Sequence, residues 1–233
     1  MPTLSCKITS VEAITNTIYR VRLTPESSVI FRAGQYLTLK IRDHLHLSFS
    51  IASTPMEKDI IELHIGGSEF NSSTISVIEY IQNNKDIIVD MPHGLAWLRE
   101  DNDLPLLLIA GGTGFSYIRS ILFTALSQKS DRYISVYWGG REIQHLYELN
   151  SLNRLMHENA HLKIFPVLEK PKHGFCGREG TVISAIMKDY SCLYGHAIYI
   201  AGPINMVRKA RICLCTERGA NSSFIFGDAL TFI

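Results

Sequence analysis

Three glycines in four positions, Gly111, Gly112 and Gly114 of LIAGGTGFSYIRSIL, separate an apolar run from a helical stripe of Ile118, Ile121, Leu122, Ala125 and Leu126. At the carboxyl end of a buried strand and just before a helix, such a loop offers free N–H groups to a phosphate, and glycine lets the backbone approach closely. The same residues could form only a tight turn. The G-x-G-x-x-G pattern is incomplete, with Tyr117 in the third glycine place, and no P-loop lysine follows. Two companions favour a nucleotide. YIAGPINM ends a second apolar strand in Ala201-Gly202-Pro203, with Met206 opening the next helix. YWGGRE follows a third strand and supplies Arg141, a donor suited to ribose or phosphate, or else a solvated surface arginine. Three strand ends facing one crevice make the nucleotide the better reading.

Other chemistries find less support. The His44-x-His46 pair has no third ligand nearby and reads as an exposed loop, so no metal is expected. Five scattered cysteines (Cys6, Cys176, Cys192, Cys213 and Cys215) fit reduced thiols of a cytoplasmic protein and match no zinc or iron–sulfur spacing. With 23 Lys and Arg against 22 Asp and Glu, no global field points to nucleic acid or an anionic membrane. The start, MPTLSCKITSVEAIT, lacks the apolar block of a signal peptide, and no apolar run approaches the roughly 20 residues of a membrane-spanning helix.

The elements that must hold these residues change character along the chain. Up to about residue 100, TIYRVRL, GQYLTLKI, IIELHI and DIIVDMP alternate as strands, with Val21 and Leu23, Leu37, Leu39 and Ile41, and Ile61, Leu63 and Ile65 each on one side. One helix interrupts them, STISVIEYIQNN, with Ile75, Ile78 and Ile81 at helical spacing. Short strands between turns predict a small antiparallel β-barrel. Beyond the polar REDND at 99–103, apolar strands (PLLLIA, YISVYW, LKIFPVL, AIYIA) alternate with helices, the pattern of a parallel α/β sheet with flanking helices. The expected domains are 1–98 and 99–233.

FRAGQYLTLKI followed by LSFSIASTP resembles the flavin-binding barrel of the ferredoxin–NADP reductase superfamily. With TLSCKITSVEAIT, ELHIGGSE, PHGLAWLR, LIAGGTGFSY, YWGGRE, AGPINM and FGDA in order, the whole chain is similar to the bacterial NAD(P)H–flavin reductases, including those encoded in luminescence operons. The resemblance implies that Gly111, Gly112, Thr113, Gly114, Phe115 and Ser116, with Arg141, Gly202, Pro203 and Met206, bind NADH or NADPH. In that family an R-x-[YF]-S segment lies along the isoalloxazine ring, and here Leu47-Ser48-Phe49-Ser50 takes its place. It implies that the Ser50 hydroxyl reaches flavin N5, that Phe49, Ile51, Leu63, His64 and Ile65 contact the ring or its edge, and that Thr113 and Ser116 lie where the two rings meet. Ser50 and Ser116 are then the catalytic candidates, and Asp228 lies near the flavin. Without the resemblance, Ser50 would be an ordinary strand-end serine and His64 the outward residue of an alternating strand.

Two positions depart from the superfamily. Leu47 replaces the motif arginine, unless Arg32, Arg42 or His46 substitutes, and Ala201 stands where many members carry a cysteine beside the nicotinamide. No further basic segment in the barrel suggests a grip on an FAD pyrophosphate. The expected protein is a cytoplasmic NAD(P)H-dependent oxidoreductase, a monomer or weak dimer. Its flavin (riboflavin, FMN or FAD) is a dissociable substrate that leaves reduced, for ferric iron or for a flavin-dependent partner such as a monooxygenase or luciferase. The rival readings are a reductase with tightly held FAD passing electrons to a separate redox protein, and a nucleotide-binding sensor without activity.

Overall fold

The computed structural model describes residues 3–42, 45–67, 72–128 and 131–232, with 42 and 232 by backbone alone. The chain makes two compact units. One runs to Leu98 and takes in Arg119–Gln128; the other comprises Arg99–Ile118 and the chain after Gln128. Residues 119–128, which the sequence grouped with the α/β half, join the first unit because Arg119 and Ser120 donate to the carbonyls of Ala52 and Ser53.

Six strands build the first unit: β1 (Thr3–Ala13), β2 (Ile18–Pro25), β3 (Tyr36–Arg42), β4 (Leu45–Ser50), β5 (Ile61–Gly66) and β6 (Asp86–His93). They pair antiparallel in the order β4-β3-β6-β1-β2-β5, and the two outer strands approach one another, so the sheet is a nearly closed barrel. Period-two alternation turns Val21, Leu23, Leu37, Leu39, Ile61, Leu63, Ile65, Ile87 and Val89 into one core. Helix α1 (Ser72–Asn83) adds Val77, Ile78 and Ile81 to it. Ile75, expected in that stripe, is 44% exposed instead. At 3.6 residues per turn it stands about 110° round the helix from the centre of the buried face.

The second unit is a parallel sheet of β7 (Leu106–Gly111), β8 (Ile134–Gly140), β9 (Leu162–Leu168), β10 (Arg178–Glu179), β11 (Ala197–Ala201) and β12 (Ile225–Phe226), in the order β10-β9-β8-β7-β11-β12. Its connections carry α3 (Leu149–Glu158), α4 (Val182–Asp189) and α5 (Ile204–Arg218), while α2 (Phe115–Ser127) follows β7. Central β7 is buried from Leu106 to Ala110, which is why its sequence shows no alternation. Leu107 and Ile109 pack into a cluster with Ile183 and Ile186 of α4 and Val207 and Ala210 of α5. From β7 the chain steps outward through β8, β9 and β10, then returns to the other side of β7 as β11. Such a reversal leaves a crevice at the carboxyl ends of the two middle strands.

Candidate active site

The three glycines of the β7–α2 loop do two different things. Gly111 ends β7, and Gly112–Gly114 form a single 3-10 turn before α2. A Cβ on Gly111 would stand 2.7 Å from Met206 Sδ, and one on Gly114 would strike the Ala201 carbonyl. Gly202, at φ +151°, lies equally close, since its Cβ would meet Gly111 Cα at 3.1 Å. These glycines let the ends of β7 and β11 touch. Gly112 is different: its φ is +55°, and no atom lies within 4 Å of where its Cβ would point. The loop is open there, and only glycine takes that backbone without strain.

Aromatic packing fixes the turn from behind. Trp138 of β8 is fully buried, donates its indole N–H to the Gly112 carbonyl at 3.0 Å and stacks on Phe115 at 3.9 Å between ring centres. Ser116, in the first turn of α2, is buried, and its hydroxyl has no hydrogen-bond partner among the described residues. A buried hydroxyl without a partner costs about 1–3 kcal/mol, so the position is suited to a bound polar group. Thr113 is half-buried in the same loop, while Arg141 and Pro203 are exposed and Met206 is half-buried. Asp228 is half-buried at the start of the 3-10 turn Asp228–Phe232; burial, and after it the Asp228 charge, pushes the Tyr117 phenol well above its ordinary range.

Beyond Arg141 the carboxyl ends of β8 and β9 enclose a cavity of about 590 Å³, lined among others by Glu142, Gln144, Lys170, Lys172, Phe175 and Cys176. Sequence reasoning missed its 170–176 wall. The Pro, Gly and Lys cluster of EKPKHGFCG just after an apolar strand was the available signal.

In the barrel unit β4 alternates as the motif requires. Leu47 and Phe49 are half-buried against the core, His46 and Ser48 are exposed, and Ser50 is half-buried at the strand end opposite Tyr36. Leu47 therefore packs as a barrel residue. Of its possible substitutes, Arg32 lies over the Trp97 ring at 4.7 Å and His46 points to solvent. The Arg42 side chain and His44 lie outside the described residues. Ile51, Leu63 and Ile65 send their side chains into the core, so only their backbone can meet a ligand. His64 is not outward-facing: its side chain is buried, with Nε2 at 3.1 Å from Glu62 Oε1. Burial by itself would raise the Glu62 carboxyl. The His64 hydrogen bond, the Arg119 charge and the Arg22 hydrogen bond reverse this and hold it at about 2.

Known proteins match this arrangement. The pattern of an oxidoreductase NAD-binding domain fits residues 108–211. An NAD(P)H-flavin reductase of Aliivibrio fischeri is 42% identical over 99% of both chains. The chain belongs to the NAD(P)H-flavin reductase family. An NAD(P)H-flavin reductase of Vibrio harveyi is 39% identical over 99% of this chain and all of its own. Among solved structures, a cytochrome P450 reductase of Amycolatopsis superposes with a TM-score of 0.87 at 24% identity, covering 97% of this chain and 69% of that one, which shows the shared fold. The residues that the sequence singles out for the two ligands fall into two groups. Phe49, Ser50 and the β5 strand stand on the barrel, while the β7–α2 loop, Arg141, Gly202 to Met206 and Asp228 stand on the parallel-sheet unit. The donor set fits a dinucleotide: an open glycine, the first turn of a helix and a buried hydroxyl without a partner, all at the switch point of a parallel sheet.

Proposed function

We propose that this protein is an NAD(P)H-dependent flavin reductase whose flavin is a dissociable substrate. The bound pair supplies the chemistry, a hydride passing from nicotinamide C4 to flavin N5, and the protein aligns and shields it. The backbone N–H groups of Gly112 to Gly114 face the pyrophosphate, Arg141 serves a ribose or phosphate, and Gly202, Pro203 and Met206 form the opposite wall. Thr113 and Ser116 serve the nicotinamide, and the buried Ser116 hydroxyl gains in the complex the partner it otherwise lacks. On the barrel, Phe49 lies beside the ring, Leu63 to Ile65 offer backbone groups, and the Ser50 hydroxyl donates at N5. The observation that carries this reading is the loop after β7, open at Gly112 and ending on the unpartnered Ser116 hydroxyl.

Along β4, Leu47 packs against the barrel core and offers the flavin no cation, which favours release over retention. Reduced flavin then leaves for ferric iron, oxygen or a flavin-dependent enzyme such as a luciferase. Five free thiols suit the cytoplasm, and among the described residues no helix is long and apolar enough to cross a membrane. In solution the protein is a monomer or weak dimer. The deciding experiment follows NADH and NADPH oxidation with riboflavin, FMN and FAD added separately. A colourless protein that oxidises either dinucleotide only when flavin is added supports the reading. A yellow protein that reduces an iron–sulfur or haem protein without added flavin overturns it.

A further inference from the structure

Directly after Ser50 the chain leaves the sheet, and residues 51–54 have no regular structure. A segment next to a reacting group needs fixed partners for its backbone, because loosely held supports misplace the group they carry. Here nearly every step is tied. The Ile51 N–H donates to the Gln35 carbonyl at 3.1 Å and the Ala52 N–H to the Glu62 carbonyl at 2.7 Å. Ser53 Oγ accepts the Glu62 N–H at 3.1 Å, and the Thr54 N–H donates to the Glu57 carboxylate at 2.7 Å. Two carbonyls between these are taken by side chains of α2. Arg119 Nη1 donates to the Ala52 carbonyl at 2.8 Å, and Ser120 Oγ donates to the Ser53 carbonyl at 2.7 Å.

Both α2 side chains are themselves held. Ser120 is fully buried, and Arg119 lies over the Phe123 ring at 4.8 Å with Nη2 at 3.6 Å from Glu62 Oε1. One guanidinium thus divides between a carbonyl and a carboxylate, which a single lysine ammonium cannot copy. The Glu62 carboxylate does not depend on Arg119 alone, since Arg22 Nε donates to it at 2.9 Å and His64 Nε2 lies at 3.1 Å. Removing the Arg119 contact therefore leaves no bare buried charge, and the barrel survives the change.

We propose that Arg119 and Ser120 are positioning residues for flavin reduction: they pin the Ala52–Ser53 backbone and so fix where the Ser50 hydroxyl stands. The proposal rests on the reading that Ser50 serves flavin N5. It predicts a loss in the chemical step rather than in flavin binding, because the two residues spend their donors on the Ala52 and Ser53 carbonyls and act through a displaced hydroxyl.

A double-mutant cycle tests it. Single-turnover hydride transfer is measured at saturating NADH and riboflavin for wild type, Ser50→Ala, Arg119→Lys, Ser120→Ala, and each α2 variant combined with Ser50→Ala. Each α2 variant should slow transfer about tenfold while the riboflavin dissociation constant moves less than about twofold. Adding Ser50→Ala to either should then cost less than about half of its effect in wild type on a logarithmic scale, because a hydroxyl already out of place has little left to lose. Effects that multiply independently, α2 variants that transfer hydride at the wild-type rate, or a loss confined to flavin binding would each overturn the proposal. Should Ser50→Ala itself react at full speed, the role of Ser50 falls, and this inference with it. A slow Ser50→Ala with independent α2 effects removes only the inference. Lysine keeps a cation beside Glu62 and Ser120→Ala deletes a single oxygen, so the two variants guard against a result that reflects misfolding alone.

Discussion

Deleting the Ser50 hydroxyl removes a single donor and leaves β4 intact. A hydrogen bond of about 1–3 kcal/mol made in the transition state corresponds to a turnover loss of roughly ten- to hundredfold in Ser50→Ala, with a smaller change in the flavin KM. Unchanged turnover, with hydride transfer shown to be rate-limiting, would count against the assignment. Glu62 gives a pH signature instead. Its carboxyl is held at about 2 in the folded protein, below the ordinary value near 4.5. A depressed carboxylate stabilises the fold fully above its unfolded pKa and loses that contribution as pH falls through the folded one. We expect the stability gap between wild type and Glu62→Gln to shrink as pH falls between about pH 5 and 2, and to vanish below that. Chemical denaturation across that range measures it, and a gap independent of pH would remove Glu62 from the account.

The β7–α2 turn makes opposite predictions for two glycines two positions apart. Gly112→Ala places its methyl in open space at a positive φ, costing about 1–2 kcal/mol in backbone strain, and on the proposed reading it stands where the pyrophosphate approaches. The KM for NADH should rise at least about tenfold, with the flavin KM unchanged and only a small loss of melting temperature. Gly114→Ala drives a methyl into the Ala201 carbonyl, so its main effect should be on stability, lowering the midpoint by several degrees. Thermal melts and steady-state kinetics on the pair separate the two, and a Gly112→Ala enzyme with normal NADH affinity would reduce the loop to a turn. The elements themselves were largely legible in the sequence. Alternation marked β2, β3, β5 and β6, and the unbroken apolar run marked β7, because each reports a face that the fold buries. Two-residue β10 and β12 were not, since strands so short carry no period. The 67-residue jump from Ser53 to Ser120 left no local signal at all. Nor did the buried pair of Glu62 and His64, which occupies the positions that alternation assigns to solvent.

For the whole protein, the proposal of a dissociable flavin predicts a stability that depends on flavin concentration. A ligand that binds only the folded state at a hundred times its Kd adds about 2.7 kcal/mol, which for a chain of this size is roughly 5–10 °C in melting temperature. Differential scanning fluorimetry should therefore show a midpoint that climbs steadily with added riboflavin and returns after dialysis. A midpoint indifferent to added flavin, in a protein that stays yellow through dialysis, would mean the flavin is retained. The chain carries a formal charge of only +1, so the response should be nearly insensitive to salt for uncharged riboflavin.

Trp138 has a further consequence. The chain has two tryptophans, Trp138 beneath the glycine turn and Trp97 under the Arg32 guanidinium. Replacing Trp97 with phenylalanine leaves an indole whose N–H is bonded to the very carbonyl that orients Gly112, and whose ring lies against Phe115. Its emission becomes an intrinsic optical gauge of the proposed dinucleotide site. NADH added without flavin should quench the Trp97→Phe protein in a saturable way, with a midpoint equal to the dissociation constant. The dinucleotide half of the reaction can then be titrated without turning the enzyme over.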